Sequence, residues 1–240
     1  MTAWRIRMGA FVLSATLAGC GQSESGTTEA PPPLPSLAAA SGGGASPTDP
    51  VALDPATAGA IRSTAPPASV EMPDPIVRIR TSLGNIYIRL YAAKAKRTVA
   101  NFVDYVMTGH YDGTIFHQVE SGYAVMGGGY DDKLQAKPAR YPIRNEADNG
   151  LKNVRGTVAM ARDPSDPHSA TSQFFINLVD NPKLDHAGPS PETFGYCVFG
   201  EVVEGLDVVE KIAAQKTASV RSFDKLPMET VLVDHVRFVR

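Results

Sequence analysis

Apolar and polar positions alternate in two neighbouring runs, Val77-Arg78-Ile79-Arg80 and Ile86-Tyr87-Ile88-Arg89-Leu90. A period of two puts successive side chains on opposite faces of a strand, and Ser82-Leu83-Gly84-Asn85 between the runs predicts a hairpin turn. The period then changes. Val99, Phe102, Val103 and Val106 stand at i, i+3, i+4 and i+7, which predicts an amphipathic helix capped by Thr98 and ended by Gly109. Short apolar runs split by turn residues predict strands over residues 114–119, 123–127, 156–161, 173–179, 196–203 and 230–239. A second helix over residues 206–214 carries Val208, Val209 and Ile212 on one side. Gly127-Gly128-Gly129 reads as a tight strand exit rather than a phosphate cradle. Strands that follow one another without regular helices between them predict antiparallel pairing. About eight of them predict a mainly β fold, a closed barrel capped by the two helices.

The first 75 residues follow neither period. Arg5 and Arg7 precede an apolar run over residues 8–18, too short to span a bilayer but suited to a secretory signal. The run ends in Leu17-Ala18-Gly19-Cys20, which resembles the bacterial lipoprotein signal, in which the cysteine is lipidated and becomes the new N-terminus. A plain secretory signal with an incidental cysteine is the alternative. Gly21 stands where inner-membrane retention would want Asp, so the expected location is periplasmic, lipid-anchored through Cys20 at the outer membrane. Residues 20–75 hold 11 of the 19 prolines and a Gly-rich stretch at Gly42-Gly43-Gly44. That composition cannot bury enough apolar surface to offset chain entropy, so it predicts a disordered tether with an end-to-end distance of about 40 Å. Residues 76–240 are the folded domain.

Charge sharpens this division. Residues 1–19 carry +2, residues 20–75 carry −5 and the remainder +1, for a total of −2. A nearly neutral domain has no field to collect a nucleic-acid backbone, so nucleic acid is excluded as a partner. The five histidines lack the pairing or clustered cysteines of a metal site, and no nucleophile elbow or dinucleotide fingerprint is present. With Cys20 lipidated, Cys197 has no disulfide partner and reads as small core filler in Tyr196-Cys197-Val198-Phe199.

Motifs carry the reading further. Asn101-Phe102-Val103-Asp104-Tyr105, Thr114-Ile115-Phe116-His117, Gly127-Gly128-Gly129, Gly156-Thr157-Val158-Ala159-Met160-Ala161, Ser172-Gln173-Phe174-Phe175-Ile176-Asn177 and Val198-Phe199-Gly200 occur in one order. Together they resemble the cyclophilin family of peptidyl-prolyl isomerases. Asn145-Glu146-Ala147-Asp148-Asn149-Gly150 and Met160-Ala161-Arg162 resemble its bacterial periplasmic branch. The resemblance implies an eight-stranded antiparallel barrel with two helices. It also implies an isomerase that needs no metal or cofactor and acts as a monomer on Xaa-Pro segments of exported or unfolded proteins.

Carried over by position, the resemblance implies a proline pocket at Phe175, Leu184 and Phe199, with Tyr123 in place of the usual Phe. Gln173 lines the groove, Ala161 offers its backbone, and Tyr196 stands where many members have a histidine. Phe116 and Arg162 complete the implied substrate-binding set. Three positions depart from the pattern: Gln118 at the catalytic arginine, Met126 at the groove glutamine and Ala124 at the pocket methionine. Lys183 replaces an aromatic residue at the site associated with cyclosporin binding. Each residue also has a plainer reading. Phe175 and Phe199 could be ordinary core, Gln173 a solvated strand residue, His117 a structural histidine and Arg162 a strand-end charge. Two functions follow from the resemblance: an isomerase weakened at Gln118, or a non-catalytic proline-peptide-binding chaperone or scaffold.

Overall fold

The computed structural model describes residues 74–239. The expected signal peptide, Cys20 and all but the last two residues of the expected tether lie outside the described residues. The two alternating runs form β1 (Ile76–Thr81) and β2 (Gly84–Leu90), paired antiparallel from Ile76↔Arg89 to Thr81↔Gly84. Thr81 fixes the turn. Its Oγ1 donates to the Gly84 carbonyl at 2.8 Å and accepts from the Leu83 N–H at 3.1 Å.

The first helix, α1, runs Lys96–Met107 and buries Val99, Phe102 and Val106 as its period requires. Its cap departs from expectation. Thr98 lies inside the helix, and Ala95 at the N-cap makes no side-chain cap bond. The Glu146 carboxylate, far along the chain, accepts from the Arg97 and Thr98 N–H groups at 3.2 and 2.9 Å and from Thr98 Oγ1 at 2.8 Å. First-turn N–H groups need acceptors, and an anion there also complements the helix dipole, so a distant carboxylate serves where no local side chain does.

The chain continues through β3 (Thr114–Glu120), β4 (Ala124–Asp131), β5 (Thr157–Met160), β6 (Phe174–Asn177) and β7 (Val198–Glu204). Then come α2 (Leu206–Ala213), a hairpin of β8 (Thr217–Val220) and β9 (Phe223–Pro227), and β10 (Leu232–Phe238). Eight strands close into an antiparallel barrel in the order β1-β10-β3-β4-β6-β5-β7-β2. The β8–β9 hairpin was not foreseen, because its residues alternate poorly between buried and exposed. Gly127-Gly128-Gly129 lies within β4 and is not a strand exit.

Both helices seat their apolar faces in one interior cluster. Phe102 of α1 stands at its centre, 5.1 Å from Tyr111, 5.8 Å from Phe174 and 5.1 Å from Phe199 between ring centroids. Truncating a buried Phe so placed costs about 3–5 kcal/mol. Val208, Val209 and Ile212 bring α2 into the same cluster.

Candidate active site

Simple alternation along β3 would put Phe116 and Gln118 on one face. The pairing prevents it. Phe116 sits opposite Gly127 and Gln118 opposite Met126, so two steps on β3 match one on β4, a bulge at His117. The bulge leaves Phe116 in the interior cluster and turns Gln118 to the outer face of the sheet, where it is half-buried.

On that face the registers line up one row across five strands: Gln118, Met126, Phe175, Ala159 and Val198. Met126, Phe175, Ala159 and Val198 join Ala124, Ala161 and Leu184 in a second apolar cluster, separate from the interior one. Tyr123 and Tyr196, both half-buried, pack against it with Tyr91 and Leu151. Phe175 is fully buried, and the Tyr196 ring meets it edge-on at 5.7 Å and 77°.

Of the residues proposed from the sequence, the fold thus brings Gln118, Tyr123, Met126, Ala161, Phe175, Leu184 and Tyr196 to one face. Phe116 and Phe199 are corrected. Phe199 alternates with Val198 along β7, and since Val198 faces outward Phe199 points inward onto Phe102. Phe116 likewise packs inward, edge-on to Phe174. Both are core.

Gln173 lies beside the row, and glycine makes its room. A Cβ at Gly129 would stand 2.5 Å from Gln173 Cγ, while Gly128, at φ +85°, would set one 2.9 Å from Tyr111. Ala161 donates its N–H to the Gln173 carbonyl at 2.9 Å, linking the two groove segments.

His117 occupies the bulge and is packed, not poised. Tyr130 and Phe223 meet its ring at 4.7 and 5.9 Å. Burial pushes its pKa down to about 4, against smaller upward pulls from the Ile115 backbone and the Gln173 side chain. A histidine this reluctant to protonate is a structural one.

Arg162 is 3% exposed, so it is no surface charge. Its Nε donates to Gly195 O at 3.0 Å, one terminal nitrogen to Asp163 O at 2.8 Å and Pro164 O at 3.2 Å, and the other to Pro191 O at 2.7 Å. The same guanidinium lies 4.6 Å from the Tyr196 ring centroid, a cation–π contact. Arg162 therefore clamps the loop that carries Tyr196, with four of its five N–H donors spent on main-chain carbonyls. Gln118, by contrast, has no hydrogen-bond partner for its amide among the described residues. The site's outward donor is neutral.

Cys197 is buried beside Thr98, whose hydroxyl lies 3.4 Å from the sulfur, and burial raises its thiol to about 11. That suits a filler and not a nucleophile. The sequence reading missed three buried amides under the pocket, Asn153, Asn177 and Asn181. Only an asparagine ending an apolar run, as Asn177 does, hinted at them.

Residues 76–237 match the family model described as cyclophilin type peptidyl-prolyl cis-trans isomerase/CLD. Peptidyl-prolyl cis-trans isomerase cyp18 of Streptomyces antibioticus is 49% identical over 163 residues, 68% of this chain and 98% of that protein. Peptidyl-prolyl cis-trans isomerase B of Escherichia coli is 48% identical over 161 residues, 67% of this chain and 98% of its own. The crystal structure of a Cryptosporidium parvum cyclophilin type peptidyl-prolyl cis-trans isomerase superposes with a TM-score of 0.57 at 22% identity. It covers 70% of this chain and 98% of that one, and shows the shared fold. A closed barrel with two helices, a matching family model over most of the chain and relatives near half identity lead to one conclusion: the chain belongs to the cyclophilin-type peptidyl-prolyl cis-trans isomerase family.

Proposed function

We propose that the domain is a prolyl isomerase of reduced catalytic power, serving Xaa-Pro segments of exported proteins from a lipid anchor at Cys20. The observation that carries it is the cross-sheet row, in which an apolar pocket around Phe175 ends at the neutral amide of Gln118.

Rotating a peptide bond out of plane costs roughly 18–20 kcal/mol because amide resonance is lost. Before proline the cis form is populated, yet exchange takes tens to hundreds of seconds. No proton is transferred between substrate atoms, so no acid, base or nucleophile is required. The pocket of Phe175, Leu184 and Tyr123 grips the ring, and the Ala161–Gln173 segment meets the flanking backbone. In the twisted state the prolyl nitrogen regains a lone pair that a fixed donor can hold, and only contacts made in that state raise the rate.

Gln118 supplies that donor without charge. A charge-assisted hydrogen bond is roughly twice as strong as a neutral one, and losing a preorganised donor altogether costs about 2.7–4 kcal/mol. Catalysis is therefore weakened, not abolished. The same neutral donor favours the second reading, a module that binds prolyl peptides without turning them over. Two-dimensional NMR exchange on an Xaa-Pro peptide separates the readings. An isomerase broadens cis and trans resonances into exchange and loses this with Phe175→Ala; a binding module shifts the resonances and leaves exchange at its uncatalysed rate.

Residues 17–20 and the Pro-rich tether support the anchor and the export role. Lipidated Cys20 at the mature N-terminus, by mass spectrometry, and release from the membrane fraction by Cys20→Ser are the expected results. A mature N-terminus elsewhere, without lipid, contradicts them.

A further inference from the structure

Under the pocket run three buried amides, Asn153, Asn177 and Asn181, 2%, 0% and 5% exposed. They form one directed relay. Asn181 Nδ2 donates to Asn177 Oδ1 at 2.8 Å, and Asn177 Nδ2 donates to Asn153 Oδ1 at 3.3 Å and to Thr157 Oγ1 at 2.9 Å. The relay ends on main-chain carbonyls. At one end Asn181 Nδ2 donates to Tyr123 O at 3.1 Å; at the other Asn153 Nδ2 donates to Leu184 O at 3.0 Å and Tyr196 O at 3.2 Å.

The three residues so held, Tyr123, Leu184 and Tyr196, all pack on the Phe175 cluster. They come from three separate segments: the β3–β4 turn, a 3-10 turn at Pro182–Leu184, and the approach to β7. Main-chain bonds tie these segments as well, from Leu178 N to Tyr123 O, Asn181 N to Asn153 O, and Tyr196 N to Leu184 O. Burying three amides is costly unless their polar atoms are met, and here all three Nδ2 groups and the Oδ1 atoms of Asn153 and Asn177 have partners. A satisfied polar network of this kind fixes one geometry where apolar packing alone would allow several.

We infer that Asn153, Asn177 and Asn181 act as positioning residues, holding the walls of the prolyl pocket at a common spacing and so setting affinity for the peptide. The inference rests on the pocket reading given above. None of the three reaches the row that ends in Gln118, so they act on grip and not on the rotating bond. Removal of a contact made equally in the ground and transition states raises KM and leaves kcat in place.

The test is steady-state exchange on an Xaa-Pro peptide with the full-length chain, reading kcat and KM separately. Asn181→Ala and Asn153→Ala should raise KM about tenfold, the weight of one lost hydrogen bond, with kcat within about twofold. Asn181→Ser, whose hydroxyl can make one of the two donations, should fall between Asn181→Ala and wild type. Val77→Ala, equally buried but on the far strand β1, supplies a destabilised control whose KM should stay at the wild-type value. A folded Asn181→Ala with wild-type KM overturns the inference. So does a rise in KM matched by Val77→Ala, since instability alone would then explain it. Should Asn181→Ala not fold, Asn181→Ser decides, and a wild-type KM there overturns the inference. Phe175→Ala in the same series keeps the two claims apart: if it binds peptide as wild type does, the pocket reading itself fails.

Discussion

Arg162→Lys is the conservative change that the clamp should not tolerate. The guanidinium spans four carbonyls in two segments, residues 163–164 and 191–195, and lies under Tyr196. A lysine ammonium carries three donors on one atom and cannot reach acceptors spread around a planar fork. One or two carbonyls are then left without a partner, each at about 1–3 kcal/mol, and part of a cation–π contact of up to about 2 kcal/mol goes with them. The substitution keeps a buried cation and recovers none of this, because an ammonium is more strongly hydrated than a guanidinium. The net expected loss is about 2–4 kcal/mol. For a domain of this size 1 kcal/mol moves Tm by about 2–4 °C, so a fall of roughly 5–15 °C is expected in circular-dichroism melts. Peptide affinity should weaken as well, since Tyr196 loses its support over Phe175. A variant that melts within 2 °C of wild type and binds peptide equally would refute the clamp.

Two further outcomes follow. His117, neutral in the fold with its pKa near 4 but close to the usual 6.5 when unfolded, gives stability that is fully present above pH 6.5 and lost as pH falls toward 4. The loss is on the order of 3 kcal/mol, seen as a falling urea midpoint across that window that His117→Gln flattens; parallel curves for the two proteins would argue against it. Lys183, exposed on the turn beside Leu184, offers a flexible ammonium where the family usually has an aromatic wall. Cyclosporin should bind weakly, and a nanomolar Kd by calorimetry would show that Lys183 does not line that surface.

Local periodicity made the barrel legible. Val77, Ile79, Ile86 and Ile88 fix the face of the first hairpin, and Val99, Phe102 and Val106 fix that of α1, because buried and exposed positions differ in polarity. The candidate site was legible only in part. In Phe174-Phe175 and Val198-Phe199 both faces of the strand are apolar, so alternation cannot say which residue points outward, and Phe199 was misplaced. Gln118 faces out only because a bulge at His117 resets the phase, which pairing creates and no single strand encodes. Glu146 capping α1 and the Asn153–Asn177–Asn181 relay are long-range contacts, joined by closure of the barrel.

The proposed function rests on Gln118 as the group that limits the rate. The direct measurement is kcat/KM for an Xaa-Pro peptide by NMR exchange, in wild type, in Gln118→Arg and in Gln118→Arg with Met126→Gln. A guanidinium at the outer-face end of the row should raise kcat/KM by on the order of tenfold or more, short of the full worth of a preorganised donor. Met126 opposite it is an apolar neighbour that cannot hold the new side chain, so the double variant should exceed the single one. A wild-type protein whose kcat/KM is unchanged by either substitution would contradict the account, since another group would then be carrying the catalysis.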